Sequence, residues 1–427
     1  MKISKRALQI VLQAFLIPWV AVLVLRYCGI LTYSEVNDVV FLLVGLFAFP
    51  FLISSMFLLP KINESYNIVI VDEYKGNPYG SGRVFNIVVF LTFVYLIAIV
   101  IDKIFLVDVL SQGVTEARYA AMENGPRNSL LGAVHYFLAG APVLLACFLL
   151  SRRKSRILTN GFLWVIVVIC FGCFFLSGGR NNFVVGSVFV FFYFCLEKIT
   201  FRTRGVGSDR KFSFPFWLKI FSIVGVCYVL YLFVERAQIR GMDLDGAVRA
   251  LSENYNVGVY VPDFLSGALL QVYYCLVFVV FYITHSLSYL SAYFDIGYSP
   301  LTVGGYSFSI IFRVIDVLFG TTFVIDSFER MLVVGVYLTL PGSIYIDFGF
   351  AGVFVAGIAL AGASIWCVSS ALKSGNGNGM MAASFCLAIA ALSPVFSAFS
   401  VGNGFSIMML IVFIHAVGKR KVVSKNK

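Results

Sequence analysis

The chain has 427 residues, of which 60% are apolar and only 12% are charged, and it contains 44 phenylalanines. A soluble globular protein carries about 25% charged residues, so this composition excludes an ordinary soluble enzyme or binding domain. The net charge of +11 comes mainly from basic residues in short segments between long apolar runs, which is typical of a membrane protein. Nearly all of the nine cysteines lie within the apolar runs. We therefore expect them to be small buried side chains, and we expect no disulfide framework.

Apolar runs long enough to cross a bilayer recur along the whole chain. The first run follows a basic N-terminal segment, and no small-residue cleavage site comes after it, so we interpret it as a retained span. Ten segments are predicted to be membrane-spanning helices, namely 7–25, 36–59, 84–107, 130–150, 157–176, 180–196, 214–234, 341–371, 380–398 and 403–418. The sequence thus predicts an all-α, polytopic integral membrane protein with a single membrane domain over residues 1–427.

One further apolar segment, residues 264–294, does not fit this count. It is apolar enough to span, but counting spans from either terminus places both of its ends on the same side of the membrane. Either this segment is interfacial or re-entrant, or residues 307–325 cross back despite Arg313 and Asp316. The number of spans is therefore 10 or 12, and in both cases much of 235–340 is an outer loop region.

Lysine and arginine set the predicted orientation, because cytoplasmic loops of membrane proteins carry the excess of these residues. One set of alternating loops, together with the two terminal segments, holds 22 basic residues, whereas the opposite set holds 10. We expect the first set to be cytoplasmic. Both termini are then cytoplasmic, and residues 235–340 lie on the outer face.

The outer basic residues are almost all arginines. The planar guanidinium matches phosphate and carboxylate oxygens, so this bias indicates a phosphate-bearing partner on the outer face. The alternative is that translocation selects against lysine, or that the bias arose by chance. The outer arginines are Arg26, Arg118, Arg127, Arg180, Arg236, Arg240, Arg249, Arg313 and Arg330, and Lys103 is the exception.

Most of these arginines that lie in the outer loops have a carboxylate three or four residues away, where a helix forms ion pairs. The expected pairs are Arg249 with Asp245 or Glu253, Arg127 with Glu123, Arg330 with Asp326, Arg313 with Asp316 and Arg240 with Asp243. Arg180 and Arg236 have no such neighbour. Their charge is therefore expected to be available to a ligand.

Arg180 lies in the sequence SGGRNN, a tight turn between two predicted spans. A helix must begin there, and its first N–H groups and dipole make a positive charge locally unfavourable unless an anion is bound. Gly178 and Gly179 would let a large anion approach the backbone. We expect this turn to bind a lipid-borne pyrophosphate, and the alternative is an arginine that anchors the helix end to ordinary headgroups.

Arg236 and Arg240 are spaced i, i+4 in ERAQIRG, just beyond the outer end of a predicted span. Two guanidinium groups on one helix face repel each other unless an anion lies between them. This spacing favours a second part of the same anion site, and the alternative is a solvated helix face.

Two further residues are candidates for proton transfer or substrate positioning. His285 belongs to the outer segment and could accept a proton from a sugar hydroxyl, although a histidine among aromatic residues is often only hydrogen-bonded. Asp347 lies at the outer mouth of the span 341–371, where an acid is costly unless it is partnered or solvated.

Several common features are absent from the sequence. No cytoplasmic loop is long enough for a nucleotide-sugar-binding domain, and there is no Walker loop or Cys/His cluster at zinc spacing. We therefore expect no metal, no cofactor and no nucleic-acid partner. Any chemistry takes place on the outer face without ATP, and its energy comes with the substrate.

The chain resembles the O-antigen polymerases, the Wzy-type oligosaccharide repeat-unit polymerases of bacterial inner membranes. The resemblance rests on the turn at SGGR180, the outer stretch RAQIR (236–240), the block FDIGYSPLTVGGYSF (294–308) and GSIYIDFGFAGV (342–353). It implies a multi-pass, metal-independent glycosyltransferase of the inner membrane, with 235–340 in the periplasm. A growing glycan on undecaprenyl pyrophosphate would be transferred to a new lipid-linked repeat unit, with a chain-length regulator membrane protein as a further partner.

The resemblance also implies roles for the candidate residues. Arg180 and Arg236 would hold the pyrophosphate and stabilise the leaving charge, and Arg240 and Arg313 would add to that binding. His285 or Asp347 would orient or deprotonate the acceptor hydroxyl.

Three other functions fit parts of the pattern. An O-antigen ligase would transfer the glycan to lipid A core, but its usual outer-loop histidine motif is not clear here. A flippase for lipid-linked oligosaccharides, or another transporter, would place ionisable groups in mid-span and show inverted repeats. A polytopic scaffold without activity is the third alternative.

Overall fold

The computed structural model describes residues 3–64, 82–106, 130–151, 157–176, 180–203, 243–297, 302–323, 338–400 and 402–419. Most of these residues are helical. Seven of the helices are long and apolar enough to cross a membrane: Lys5–Tyr27, Asp38–Leu58, Gly82–Leu106, Val134–Ser151, Asn181–Thr200, Gly267–Asp295 and Leu340–Ser374. The prediction of a helical, multi-pass membrane protein is confirmed at this level.

In chain order, the helices are α1 (Ile3–Tyr27), α2 (Asp38–Glu64), α3 (Gly82–Val100), α4 (Leu130–Leu138), α5 (Ala141–Ser151), α6 (Ile157–Leu176), α7 (Arg180–Thr203), α8 (Leu244–Tyr255), α9 (Gly267–Asp295), α10 (Ser309–Phe319), α11 (Leu340–Ser374), α12 (Gly377–Leu392) and α13 (Gly402–Lys419). A π-helical turn, Ile101–Leu106, continues α3. Strands β1 (Leu31–Tyr33) and β2 (Val257–Val259) pair antiparallel, with Leu31 opposite Val259.

The predicted span 130–150 is interrupted, and its two helices, α4 and α5, together form the candidate span Val134–Ser151. The break falls at Gly140, where α13 crosses so closely that a Cβ would lie 2.6 Å from the backbone nitrogen of Ile407. The backbone N–H of Gly140 donates to Ser406 Oγ at 2.8 Å. The contact with α13 therefore takes the place of helical hydrogen bonding at this point.

The alternatives for the outer segment stay predictions. Residues 267–295 form one uninterrupted helix, which is long and apolar enough to cross a membrane. In the second segment, the described helix α10 covers 11 residues and ends at Gly320 in a left-handed conformation, whereas about 20 residues are needed for a crossing helix. The predicted span 214–234 lies outside the described residues.

The main core is a bundle in which α12 packs against α1, α7, α11 and α13, and α11 packs along α2. The contact between α2 and α11 is close because Gly357 has no side chain, and a Cβ there would lie 2.5 Å from the carbonyl oxygen of Phe47. Large apolar side chains such as Phe57, Phe90 and Phe162 are exposed on the outside of the helices. An exposed apolar surface of this kind suits contact with lipid.

A second, smaller core lies beside one end of the bundle. It is built from β1, α8, β2 and the first half of α9, and its buried residues include Leu31, Val248 and Phe278. The last part of α9 reaches the main core, to which Leu287, Leu290 and Tyr293 belong. Helix α9 therefore connects the two clusters.

Candidate functional site

Several helix ends meet at one end of the bundle. They are the C-terminal ends of α1, α3 and α12 and the N-terminal ends of α4, α7, α11 and α13. Hydrogen bonds join them: Trp19 Nε1 donates to Ser393 Oγ (2.9 Å), and Asn403 Nδ2 donates to the carbonyl oxygen of Asn182 (2.6 Å). We call this region the polar end, because it holds the buried side chains of Arg26, Asp102, His135, His285 and Asp347.

Asp347 holds a turn in place at the polar end. Its carboxylate accepts hydrogen bonds from Thr302 Oγ1 and from the backbone N–H groups of Tyr306 (3.0 Å) and Ser307 (2.8 Å). Both carboxylate oxygens are used, and the side chain is buried. Residues 302–307 therefore supply the hydrogen-bond partners that a buried acid at this depth requires.

The turn is joined to α11 because that helix is interrupted. Gly349 has φ 65° and ψ −166°, a conformation that only glycine adopts readily. The interruption releases the carbonyl groups of Ile346 and Asp347, which accept from the N–H groups of Thr302 (3.2 Å) and Val303 (3.1 Å). Val303 itself has φ 48°, a strained value for a β-branched residue.

His285 lies in the second half of α9 and is buried among aromatic rings. Its ring stacks on Phe281 at 4.8 Å between centroids, and Tyr282 and Tyr289 meet it edge-on. The Nδ1 atom lies 2.8 Å from the carbonyl oxygen of Phe281. A carbonyl can only accept, so Nδ1 carries the proton and Nε2 is the acceptor in the neutral ring.

Arg26, at the end of α1, connects that helix to α9. Its Nη1 atom donates to Ser288 Oγ (2.9 Å) and to the carbonyl oxygen of Thr284 (3.3 Å), and its guanidinium lies over the ring of Tyr33. No carboxylate among the described residues lies within ion-pair distance of it. Arg26 was one of nine outer arginines in the sequence, and nothing in its spacing singled it out.

The predicted arginine cluster is described only in part. Helix α7 begins at Arg180, and α10 contains Arg313, but the side chains of both residues lie outside the described part of the chain. Arg236 and Arg240 lie wholly outside it. Of the expected ion pairs, Arg249 with Asp245 is present, with Nε 3.0 Å from Oδ2. Asp243 instead caps α8 by accepting from the N–H of Gly246.

A pair that sequence analysis missed is Asp102 with His135. The carboxylate of Asp102 lies 2.9 Å from Lys103 Nζ and 3.8 Å from His135 Nδ1. Asp102 and His135 are far apart in the sequence, and they meet because the π-helical turn after α3 faces the start of α4. The sequence did contain a signal for this pair. Asp102 and Lys103 lie at the end of one predicted span, and His135 lies at the start of the next.

The structure groups the candidates in three places. The start of α7, which carries Arg180, packs on α13, and α13 also contacts α4, which carries His135. His285 lies on α9 next to Thr284, which Arg26 of α1 contacts, and Asp347 lies with residues 302–307. The connection from α12 to α13 links the first two groups, since Ser286 Oγ donates to the carbonyl oxygen of Pro394 at 2.9 Å.

Three groups outside the candidate spans have shifted pKa values. Burial raises the pKa of Tyr33, and burial together with Tyr293 and Asp347 raises the pKa of Tyr306 well above its usual value. Both phenols therefore stay protonated at neutral pH. Hydrogen bonds from Tyr274 and Arg249 lower the pKa of Asp245, which stays ionised. Within the described ranges, no three His, Cys, Asp or Glu residues are grouped so that they could hold a metal.

Comparison of the chain with models of protein families, with curated proteins and with solved structures found no match in any of the three.

Proposed function

We propose that the protein is an O-antigen polymerase of the Wzy type. It transfers a growing glycan from undecaprenyl pyrophosphate to a new lipid-linked repeat unit at the polar end. The observation that supports this most is that α7 begins at Arg180 itself, so the first N–H groups of a 24-residue helix and an arginine occur together. Such a helix start binds anions, and the arginine adds a guanidinium matched to phosphate oxygens.

The reaction assigns a task to each candidate. Arg180, Arg236, Arg240 and Arg313 bind the pyrophosphate and stabilise the charge that develops as it leaves. His285 has a protonated Nδ1 and an acceptor Nε2, and we assign it to orienting the acceptor hydroxyl. Asp347 has its carboxylate engaged by the turn, and we assign it to holding residues 302–307 beside the acceptor.

We place the polar end in the periplasm and both termini in the cytoplasm of a bacterial inner membrane. The charge distribution of the loops supports this orientation. The contacts of α9 with Arg26 at the end of α1 and with Asn37 at the start of α2 lie at the polar end. Leu269, Val272 and Leu276 form an exposed apolar stripe along α9, a surface that suits contact with lipid.

The test is complementation of a gene deletion, with surface lipopolysaccharide separated on a gel. We expect the deletion strain to retain one repeat unit and to lose the ladder, and we expect Arg180→Ala to give the same pattern at normal protein abundance. Arg249→Ala is the matched control, because Arg249 is exposed and paired with Asp245, and it is expected to restore the full ladder.

Two results contradict the proposal in different ways. A full ladder from Arg180→Ala removes this arginine from the mechanism. Loss of every repeat unit in the deletion strain indicates a ligase or a flippase in place of a polymerase.

A further inference from the structure

The pair of Asp102 and His135 lies at the polar end, apart from His285 and Asp347. Asp102 lies in the π-helical turn Ile101–Leu106, and His135 lies in the second turn of α4. Only 4% of Asp102 and 2% of His135 is exposed. A π-helical turn is rare and occurs frequently at functional sites.

The hydrogen bonds of His135 set its tautomer. Nδ1 lies 3.1 Å from the carbonyl oxygen of Leu131 and 3.8 Å from the carboxylate of Asp102. Both oxygens are acceptors, so Nδ1 carries the proton and Nε2 of the neutral ring presents its lone pair. Asp102 also forms an ion pair with Lys103, whose Nζ lies 2.9 Å from Oδ2.

The Nε2 atom of His135 is buried and has no hydrogen-bond partner among the described residues. Leaving an acceptor in this state is costly, and such groups in native structures call for an explanation. His415 offers a contrast, since it is exposed near the other end of α13. A ligand hydroxyl that donates to Nε2 of His135 would remove this cost.

The helix that carries His135 is linked to the start of α7 through α13. Phe137, two residues after His135, packs edge-on against Phe405 of α13 at 6.2 Å. Asn403, two residues before Phe405, donates from its backbone N–H and its side-chain amide to Asn182 in the first turn of α7. One turn of α13 thus joins the helix of His135 to the helix that begins at Arg180.

We propose that Nε2 of His135, oriented by Leu131 and Asp102, accepts the proton of the sugar hydroxyl that attacks the lipid-linked donor. This proposal rests on the proposed function and assigns the role of base to His135 and not to His285. In the step, the O–H bond of the acceptor breaks and its proton moves to Nε2. The acceptor oxygen forms a bond to the anomeric carbon, and the bond from that carbon to the diphosphate breaks, with its electron pair leaving on the phosphate oxygen. The carboxylate of Asp102 stabilises the imidazolium that results.

The experiment uses the full-length protein in liposomes with an undecaprenyl-diphosphate-linked repeat unit as substrate. Polymer formation and binding of the lipid-linked unit are measured separately. We expect His135→Gln to bind the substrate as the native protein does and to elongate it about 100-fold more slowly, the scale of a lost general base. The matched control His415→Gln is expected to elongate at the native rate.

A rate for His135→Gln within about threefold of the native rate would overturn the assignment, because a lost base costs far more than that. If that variant does not purify as a single species, Asp102→Asn tests the same idea, because it keeps the imidazole and removes the group that orients it. Slower elongation with binding retained supports the proposal, and an unchanged rate overturns it. A native protein that binds the substrate and makes no polymer contradicts the proposed function itself, which is a distinct result.

Discussion

At the scale of single residues, the polar end holds buried polar side chains that are hydrogen-bonded, with Nε2 of His135 as an exception. Asp347 shows the effect most clearly, because one carboxylate holds a side-chain hydroxyl and two backbone N–H groups. Hydrogen bonds to an ionised group are stronger than those between neutral groups. The turn 302–307 therefore depends on the charge at this position.

We expect Asp347→Asn to lower the free energy of unfolding by about 2 kcal/mol, since the amide lacks the charge and turns an N–H toward a donor. Unfolding in mixed detergent micelles at increasing dodecyl sulfate measures this loss. Asp316→Asn is the matched control, because that carboxylate also accepts from a hydroxyl and a backbone N–H but in a more exposed position. Equal losses in the two variants would show that burial of Asp347 does not strengthen its bonds.

At the scale of elements, the important feature is the interruption of α11 at Gly349. A straight helix would use the carbonyl groups of Ile346 and Asp347 internally, and the turn at Thr302 and Val303 would lose two backbone partners. The residue type at 349 thus decides whether α11 can accept hydrogen bonds from the turn 302–307.

Gly349→Ala is expected to destabilise the protein by about 1–3 kcal/mol, because the side chain is incompatible with the backbone conformation at this position. Gly362→Ala in the same helix is the control. A Cβ there meets only Leu58 Cδ1 at an ordinary 3.5 Å, so a neutral or slightly stabilising effect is expected. The same micelle titration compares the two, and a neutral Gly349→Ala would argue that the interruption is not required.

At the scale of the whole molecule, the orientation in the membrane can be tested with a natural cysteine. Cys28 follows α1 at the polar end and is the only exposed cysteine among those described. In a Cys227→Ser background, which removes the cysteine outside the described residues, we expect a membrane-impermeant maleimide to label Cys28 from the periplasm. Labelling that requires rupture of the inner membrane, or that persists in Cys28→Ser, would contradict the proposed orientation.

Much of the helical pattern could be predicted from apolar runs. The run 157–176 is bounded by polar residues and is a helix over the same residues, Ile157–Leu176. The breaks at Gly140 and Gly349 could not be predicted in this way, because each depends on a distant segment that supplies or accepts hydrogen bonds. A glycine within an apolar run is equally consistent with an uninterrupted helix.

The sequence predicted properties of single residues in the candidate site, but it did not predict which residues lie together. The cost of a buried acid indicated that Asp347 needs partners, and the structure identifies them in residues 302–307. The position of His135 beside Asp102 was not predictable, since it depends on how α3 and α4 face each other after a long connection.

The pairing of β1 with β2 has a consequence for biosynthesis. Leu31 lies between the first two helices, whereas its partner Val259 precedes α9. A ribosome adds about 5–20 residues per second, so α1 and α2 reside in the bilayer for ~10 s or more before β2 emerges. During that interval the edge of β1 is open to incorrect partners. The first helical hairpin therefore reaches its final arrangement only when a segment from the second half of the chain arrives, and insertion factors that shield β1 would raise the yield of folded protein.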